Sequence, residues 1–269
     1  MSLGPSGLAM LRSAHPGPTL AVTSLAAAFA ASAGLAPGRV VLVTCAVLAG
    51  QLSIGWCNDL VDADRDRISG RSDKPVALGE IDAREVRIAC AAAVLATVVL
   101  SLACGLVAGL VHLLCVAAGW AYDLGVKSTV WSWVPYAVAF GGLPLFITLS
   151  EPGAGPPPLW VPAAAALLGV GAHLVNVLPD LADDEATGVR GLGHRLGPRV
   201  TRVAAVVALS AATVVLALGI TAVPAPVLLA ALLLVAGLAC VALLTRGRVP
   251  FRAAIGIAAV DVLLLVVSG

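Results

Sequence analysis

Charged side chains are scarce in this 269-residue chain, where Asp, Glu, Lys and Arg together make up only 12% of the residues. Soluble domains carry about 25% charged residues, whereas 60% of this chain is hydrophobic and its mean hydropathy is +1.02. This composition excludes a soluble globular domain and predicts a polytopic membrane protein. The net charge is only +1, so no overall field favours nucleic acid as a partner.

Paired cysteines are also missing. All six cysteines lie in or at the ends of apolar segments, without a Cys-x-x-Cys pair and without histidines at ligand spacing. We interpret them as small core residues. The pattern argues against a disulfide framework and against a zinc site.

Long apolar runs are what the sequence has in abundance, separated by turn signals such as three consecutive prolines at 156–158. An apolar helix of about 17–25 residues can cross a bilayer. The runs predict an all-α protein with nine transmembrane helices around a central cavity, at about residues 19–35, 40–58, 84–103, 106–123, 131–149, 159–179, 200–220, 224–244 and 250–268. We expect one domain over residues 1–269, with a polar leader at 1–18.

The distribution of positive charge predicts an orientation. If the amino terminus is cytoplasmic, nine spans place every lysine and arginine except Arg39 on the cytoplasmic side, where such residues are enriched in membrane proteins. We therefore expect an integral membrane protein whose amino terminus and active-site segments, residues 58–82 and 180–199, face the cytoplasm.

The few acidic residues cluster in two segments that share one spacing. The frame Asn-x3-Asp-x3-Asp-x3-Gly occurs as Asn58, Asp62, Asp66 and Gly70, and again as Asn176, Asp180, Asp184 and Gly188. Residues four apart lie on one face of a helix, so each copy would direct one amide and two carboxylates to one side. Four carboxylates within eight residues of the first segment need a counter-cation or water. Two such faces across a cavity predict an Mg²⁺ site, since Mg²⁺ prefers oxygen ligands.

Basic residues stand beside each acidic segment, with Arg71 and Lys74 after the first and Arg190 after the second. Carboxylates that hold Mg²⁺, next to cations that pair with phosphate oxygens, form a diphosphate clamp. Such a clamp stabilises the charge on a departing diphosphate, and the other product is a carbocation. A substrate that ionises in this way and also enters a membrane is an isoprenyl diphosphate.

The chain resembles the UbiA superfamily of intramembrane prenyltransferases over nearly its whole length. The resemblance rests on the nine helices, on Asn58-Asp59-x-x-Asp62-x-x-x-Asp66 after the second helix, and on Asp180-x-x-x-Asp184 after the sixth. It implies two Mg²⁺ ions, ionisation of the allylic C–O bond, and capture of the cation by an aromatic or lipophilic acceptor. The implied metal ligands are Asn58, Asp59, Asp62, Asp66, Asn176, Asp180 and Asp184. The implied diphosphate contacts are Asn58, Asn176, Arg71, Lys74 and Arg190.

The loop after the fourth helix carries a further family feature, a tyrosine followed by a basic pair in aromatic prenyltransferases. Tyr122 and Lys127 are retained here, but Ser128 stands where the second basic residue is expected. The resemblance implies catalytic roles for Tyr122 and Lys127 together with the aspartates of both motifs. The partial match leaves the acceptor unassigned.

Other functions share parts of this pattern. A membrane-bound terpene cyclase would use the same metal ligands but let the cation close on itself. A polyprenyl-phosphate sugar-phosphate transferase would need extra cations, which the arginines at 65, 67, 84 and 87 could supply. A cation transporter is the distant alternative, because transporters place ion sites near the bilayer midplane and these acids lie at helix ends.

Several polar or aromatic residues within the spans are further candidates. For Asp261 we expect a hydrogen bond to a neighbouring helix, ahead of stabilising a cation or deprotonating an acceptor. His173 could orient substrate or be a core histidine, and Gln51 could line the cavity. Rings that could stabilise a cation belong to Trp56, Trp120, Tyr136 and Phe140.

Overall fold

The computed structural model describes residues 5–179, 181, 188–246 and 248–268. This part of the chain folds into helices and contains no strand, which confirms the all-α prediction. The helices are α1 (Pro5–Ser13), α2 (Pro16–Ser32), α3 (Pro37–Ile68), α4 (Pro75–Leu78), α5 (Ala83–Ala103), α6 (Leu106–Leu124), α7 (Val134–Leu149), α8 (Trp160–Val177), α9 (Leu192–Gly219), α10 (Ala225–Leu244) and α11 (Val249–Val267). Helix α9 is kinked at Gly197, whose φ of 74° and ψ of 165° are not helical. A single 3₁₀ turn, Val126–Ser128, follows α6.

Seven helices of the described chain are long and apolar enough to cross a bilayer, namely α3, α5, α6, α8, α9, α10 and α11. Helix α7 is apolar but has only 16 residues, and α2 has 17. Large apolar side chains are exposed along α5, α6 and α10, as expected of surfaces that face lipid. The chain is therefore an integral membrane protein, and the number nine stays a prediction.

Contacts between turns show which connections share one end of the bundle. Arg39 donates to the carbonyl oxygens of Ala103 and Cys104 at 3.4 and 3.5 Å. The N–H of Ala36 donates to the carboxylate of Glu151 at 3.3 Å. The turns before α3, after α5 and after α7 therefore lie together, at the end of the bundle that carries Arg39.

Helix α3 is longer than predicted and contains the first acidic segment. No glycine or proline interrupts the sequence from Asn58 to Arg67, so nothing stops the helix where the apolar run ends. It stops where Gly70 adopts a left-handed φ of 68° and the N–H of Arg71 donates to the carbonyl of Asp66 at 3.0 Å, as in a Schellman motif. The polar connection predicted after the second span begins only after this point.

The second copy of the frame departs from the first. Helix α8 ends at Val177, directly after Asn176, because Pro179 has no N–H to donate to the carbonyl of Val175 and cannot continue the helix. The first copy has Val61 at the matching position. The glycine of the second copy, Gly188, has a positive φ of 85° like its counterpart. The expectation of one continuous helix through the frame therefore holds for the first copy only.

The amino-terminal segment packs against α3 and is not simply a polar leader. Helix α1 covers Trp56, whose Nε1 donates to the carbonyl of Met10 at 3.1 Å. Gly55 permits this close approach, since a Cβ there would lie 2.3 Å from the carbonyl oxygen of Ala14. The segment thus covers the turn of α3 that precedes Asn58.

Candidate active site

Acidic side chains from α3 and from the end of α6 converge at the end of the bundle opposite Arg39. Four carboxyl groups are almost fully buried there, with exposed fractions of 1% for Asp59, 5% for Asp62, 4% for Asp66 and 4% for Asp123. The side chain of Asp64, in contrast, is 92% exposed. Helix α3 therefore separates a buried acidic face from a solvated one, as the spacing of the first segment predicts.

Two cationic side chains hold Asp62. The Nζ of Lys127 lies 2.7 and 2.6 Å from its two oxygens, and Nη2 of Arg65 lies 2.7 Å from Oδ2. Lys127 belongs to the 3₁₀ turn after α6, and its side chain is only 10% exposed. The structure therefore brings Lys127 from another helix directly onto the central acid of the first motif.

Lys74 is the second buried cation of the cluster. Its Nζ donates to Oδ1 of Asn58 at 3.1 Å and lies 3.0 Å from Nε2 of His15. It also lies 3.5 Å from Oδ1 of Asp59 and 3.6 Å from Oδ2 of Asp66. Both of these oxygens are buried and have no hydrogen-bond partner in the described part of the chain. One ammonium group therefore stands among an amide oxygen and two carboxylates.

The Asn58 amide connects the acids of α3 with α6. Its Nδ2 donates to Oδ2 of Asp62 at 3.2 Å and to Oδ1 of Asp123 at 2.9 Å. Within the described residues, Oδ2 of Asp123 is another buried carboxylate oxygen without a hydrogen-bond partner. The three side chains form one network between the two helices.

The chemistry of this cluster fits a hard divalent cation, which takes carboxylate and amide oxygens as ligands. Four carboxyl groups face the cationic side chains of Arg65, Lys74 and Lys127. Three carboxylate oxygens, one each from Asp59, Asp66 and Asp123, are buried without hydrogen-bond partners among the described residues. Buried carboxylates are costly unless a positive charge compensates them. In the described ranges no three acids, cysteines or histidines converge tightly enough to hold an ion by themselves. Asp180 and Asp184 lie outside those ranges, so the predicted second set of ligands stays untested.

The remaining predicted diphosphate contacts are Asn176, Arg190 and Arg71. Asn176 is exposed in the last turn of α8 and shares a side-chain hydrogen bond with Tyr136. Arg190 is exposed after the second motif. Arg71 donates to both oxygens of Asp73 at 2.8 and 2.9 Å, and these bonds lower the pKa of Asp73 to about 2. Arg71 is therefore held by a loop acid next to the buried cluster.

Aromatic rings lie together close to Asn176. The centroids of Tyr122 and Tyr136 are 5.3 Å apart, and His173 lies 5.7 and 4.9 Å from these two rings. The ring of Phe140 stacks on Tyr136 at 6.3 Å. The structure thus joins Tyr122, His173 and two of the predicted cation-stabilising rings in one group.

Other sequence candidates have structural partners elsewhere. Trp120 donates from Nε1 to the hydroxyl of Ser53 at 3.3 Å. Asp261 is fully buried and accepts a hydrogen bond from the hydroxyl of Thr213 on α9, which confirms the predicted bond to a neighbouring helix. Gln51 is half-buried on α3.

Sequence reasoning misses three members of the cluster. The sequence assigns no role to Asp123, places His15 in the polar leader, and offers Arg65 only as an extra phosphate-binding cation. The one available signal for Asp123 is its position between Tyr122 and Lys127, both of which the family resemblance selects. Nothing in the sequence alone indicates that His15 meets Lys74.

The His15 ring is held neutral, because burial and the neighbouring Lys74 ammonium lower the pKa of His15 from 6.5 to about 4. The unfolded chain takes up this proton near pH 6.5, so the corresponding stability is lost as the pH falls from about 6.5 towards 4. We expect the apparent unfolding temperature in detergent, followed by circular dichroism, to fall more over this interval for wild type than for His15→Asn. Asparagine tolerates the left-handed φ of 52° at this position. Equal pH profiles for the two proteins would contradict this expectation.

The fold and the site together define a helical membrane protein that carries a buried cluster of acids, an amide and lysines at one end of its bundle. Residues 19–263 match the UbiA prenyltransferase family. The chain belongs to this family. No curated relative matches the chain at a significant level.

Solved structures share the fold at low sequence identity. A UbiA homolog from Archaeoglobus fulgidus bound to GPP and Mg²⁺ is 17% identical, with a TM-score of 0.71 over 97% of this chain and 100% of that one. The apo structure of a UbiA homolog from Aeropyrum pernix K1 is 19% identical, with a TM-score of 0.74 over 92% and 98% of the two chains. A digeranylgeranylglyceryl phosphate synthase structure is 16% identical, with a TM-score of 0.66 over 97% of each chain.

Proposed function

We propose that the protein is an Mg²⁺-dependent intramembrane prenyltransferase that ionises an isoprenyl diphosphate and transfers the prenyl group to an aromatic or lipophilic acceptor. The observation that carries this proposal is the buried cluster around Lys74 and Lys127, where carboxylates, an amide and two ammonium groups meet at one end of a membrane bundle. The relatives bound to GPP or DMAPP with Mg²⁺ support it, since they share the fold.

The two motifs would hold two Mg²⁺ ions. The first ion would be bound by Asn58, Asp59, Asp62 and Asp66, and the second by Asn176, Asp180 and Asp184. When bound, Mg²⁺ supplies Lewis-acid stabilisation of charge on the diphosphate.

Cationic side chains would bind the diphosphate directly. Lys74 and Lys127 are buried in the cluster, where low solvent access strengthens their attraction for phosphate oxygens. Arg71, in the loop after α3, and the exposed Arg190 would pair with the same group as it enters. These residues thus orient the leaving diphosphate at the rim, while its prenyl chain lies among the apolar helices.

The aromatic group would stabilise the allylic cation. The rings of Tyr122, Tyr136 and Phe140 stand near Asn176, and the faces of such rings attract positive charge without acting as nucleophiles. The scarcity of polar groups in the surrounding spans would exclude water from the cation. A prenyl acceptor would approach this group from the apolar side or from the rim.

We further propose nine spans and a cytoplasmic site. Helix α2 begins next to His15, which contacts Lys74 at the site end, and leads to Ala36, which contacts Glu151 at the other end. Helix α7 also leads from the site end to Glu151, so both short helices traverse the bundle. A 16-residue helix is about 24 Å long, a mismatch that local bilayer thinning accommodates. The position of Arg39 at the far end agrees with a cytoplasmic site.

The proposed function is tested by diphosphate release from geranyl, farnesyl and geranylgeranyl diphosphates in the presence of aromatic and lipophilic acceptors, with Mg²⁺ or EDTA, in sealed inverted and right-side-out vesicles. We expect release only with Mg²⁺ and only in inverted vesicles. Mass spectrometry of organic extracts without acceptor distinguishes a transferase, which yields no product, from a cyclase, which yields a cyclised hydrocarbon or alcohol. If no allylic diphosphate is consumed with any acceptor and Mg²⁺ is instead taken up into the vesicles, the protein is a transporter.

A further inference from the structure

Asp123 is a buried carboxylate of the cluster that belongs to neither acidic motif. It stands near the end of α6, and its side chain is 4% exposed. Its Oδ1 accepts a hydrogen bond from Nδ2 of Asn58 at 2.9 Å. Its Oδ2 is buried without a hydrogen-bond partner in the described ranges. A carboxylate kept only to join two helices would be expected to have both oxygens satisfied.

The contact fixes the orientation of the Asn58 amide. An amide has one oxygen that can bind a cation and one NH₂ group that cannot. The carboxylate of Asp123 only accepts, so it faces the NH₂ group, and the ammonium of Lys74 only donates, so it faces the oxygen at 3.1 Å. The chemistry of the two partners therefore assigns both ends of the amide.

The Asn58 oxygen points to the part of the cluster that holds the positive charge of Lys74. The Lys74 ammonium that it contacts also lies 3.5 and 3.6 Å from carboxylate oxygens of Asp59 and Asp66. Without Asp123 the NH₂ group would keep only the longer bond of 3.2 Å to Oδ2 of Asp62, which is itself a proposed ligand of the ion. Once Asp62 binds the ion, the amide could rotate and present its NH₂ group, which would repel a cation. The carboxylates of Asp59 and Asp66 have no such requirement, because both of their oxygens can bind a cation.

We propose that Asp123 is a positioning residue of the first cation site, which holds Asn58 by its NH₂ group so that the amide oxygen is available to the ion. This inference rests on the proposed Mg²⁺-dependent function and adds a residue of α6 to the site. Groups that orient a metal ligand typically change metal affinity or activity by about 10–100-fold when they are removed. Asp123 acts in this way through Asn58 and need not touch the ion.

Ion binding without turnover is the direct test. Free Mn²⁺ is measured by electron paramagnetic resonance with detergent-purified protein, in the presence and absence of inorganic diphosphate. We expect Asp123→Ala to weaken Mn²⁺ binding by about 10–100-fold. Asp123→Asn should lie closer to wild type, since its amide oxygen can still accept from Nδ2 of Asn58. Asp64→Asn is the matched control, because this exposed acid of the same segment should leave binding unchanged.

A second background separates orientation from folding. In Asn58→Asp the ligand is a carboxylate that needs no orientation, so adding Asp123→Ala should cost little further Mn²⁺ affinity. If Asp123 has a merely structural role, Asp123→Ala will weaken Mn²⁺ binding equally in the wild-type and Asn58→Asp backgrounds. That result would overturn the proposal. Equal losses in Asp123→Ala and Asp123→Asn would also overturn it, because they would indicate that Asp123 acts through its charge.

The two proposals fail in different ways. If wild type binds Mn²⁺ with the expected dependence on Asp123 but releases no diphosphate, the enzymatic proposal fails and the positioning role stands. If wild type releases diphosphate and Asp123→Ala binds Mn²⁺ as wild type does, the positioning role alone is wrong. Absence of Mn²⁺ binding by wild type, with and without inorganic diphosphate, overturns both.

Discussion

Replacing Asp62 with asparagine is expected to lower Mg²⁺-dependent diphosphate release by about 10²–10³-fold, the loss typical of a preorganised electrostatic contact. Asp62 is 5% exposed, and both of its oxygens meet the ammonium of Lys127. Asparagine keeps the size of the side chain but removes the charge that would bind an ion. Initial rates of diphosphate release across a series of Mg²⁺ concentrations measure the effect, which should include a higher Mg²⁺ requirement.

The matched control is the same substitution at Asp64, two residues along α3. Its side chain is 92% exposed and pairs only with Arg67 among the contacts described for it. Asp64→Asn should stay within about twofold of wild type, as surface substitutions usually do. A wild-type rate and Mg²⁺ requirement for Asp62→Asn would remove this acid from the proposed site.

Replacing Lys127 with methionine is expected to lower diphosphate release by about 10²-fold and to raise the KM for the prenyl diphosphate. Methionine keeps the unbranched apolar stem and loses the ammonium group, which lies 2.6 and 2.7 Å from the oxygens of Asp62. That group is the buried cation that the 3₁₀ turn after α6 contributes to the site, so its loss would remove a phosphate contact. Steady-state rates against substrate concentration at saturating Mg²⁺ give the measurement.

Two further variants decide what Lys127 does. Arg67→Met removes an exposed cation of the same end of the bundle, with 58% of its side chain exposed, and should leave the KM unchanged. Lys127→Arg keeps the charge and should recover part of the lost rate. If Lys127→Met instead lowers the Mg²⁺ requirement while the substrate KM stays constant, Lys127 serves only as a counter-ion of Asp62.

The spans and the buried face of α3 can be predicted from the sequence, because both depend on local periodicity. Apolar runs fix where helices form, and four-residue spacing fixes which of the first acids share a face. The different end of the second copy could also have been predicted, since Pro179 is visible in the sequence and stops α8 after Asn176. Local rules are sufficient in each of these cases.

The partners of the acids could not be predicted, because they depend on how distant segments pack. Asn58 and Asp123 are 65 residues apart, and His15 and Lys74 are 59 apart. No periodicity links such positions, and the contacts arise only when α6 and the amino-terminal segment are placed against α3. The close approach of the backbone at Gly55 is likewise a property of the assembled bundle.

The lysines within the acidic cluster have a consequence for how the chain matures. Buried carboxylates without a compensating positive charge would oppose folding of this end of the bundle. Here Lys74 and Lys127 are parts of the same polypeptide and lie among the carboxylates, so the chain brings its own counter-charge to the site. Folding of this end of the bundle is therefore expected to proceed without a bound metal ion.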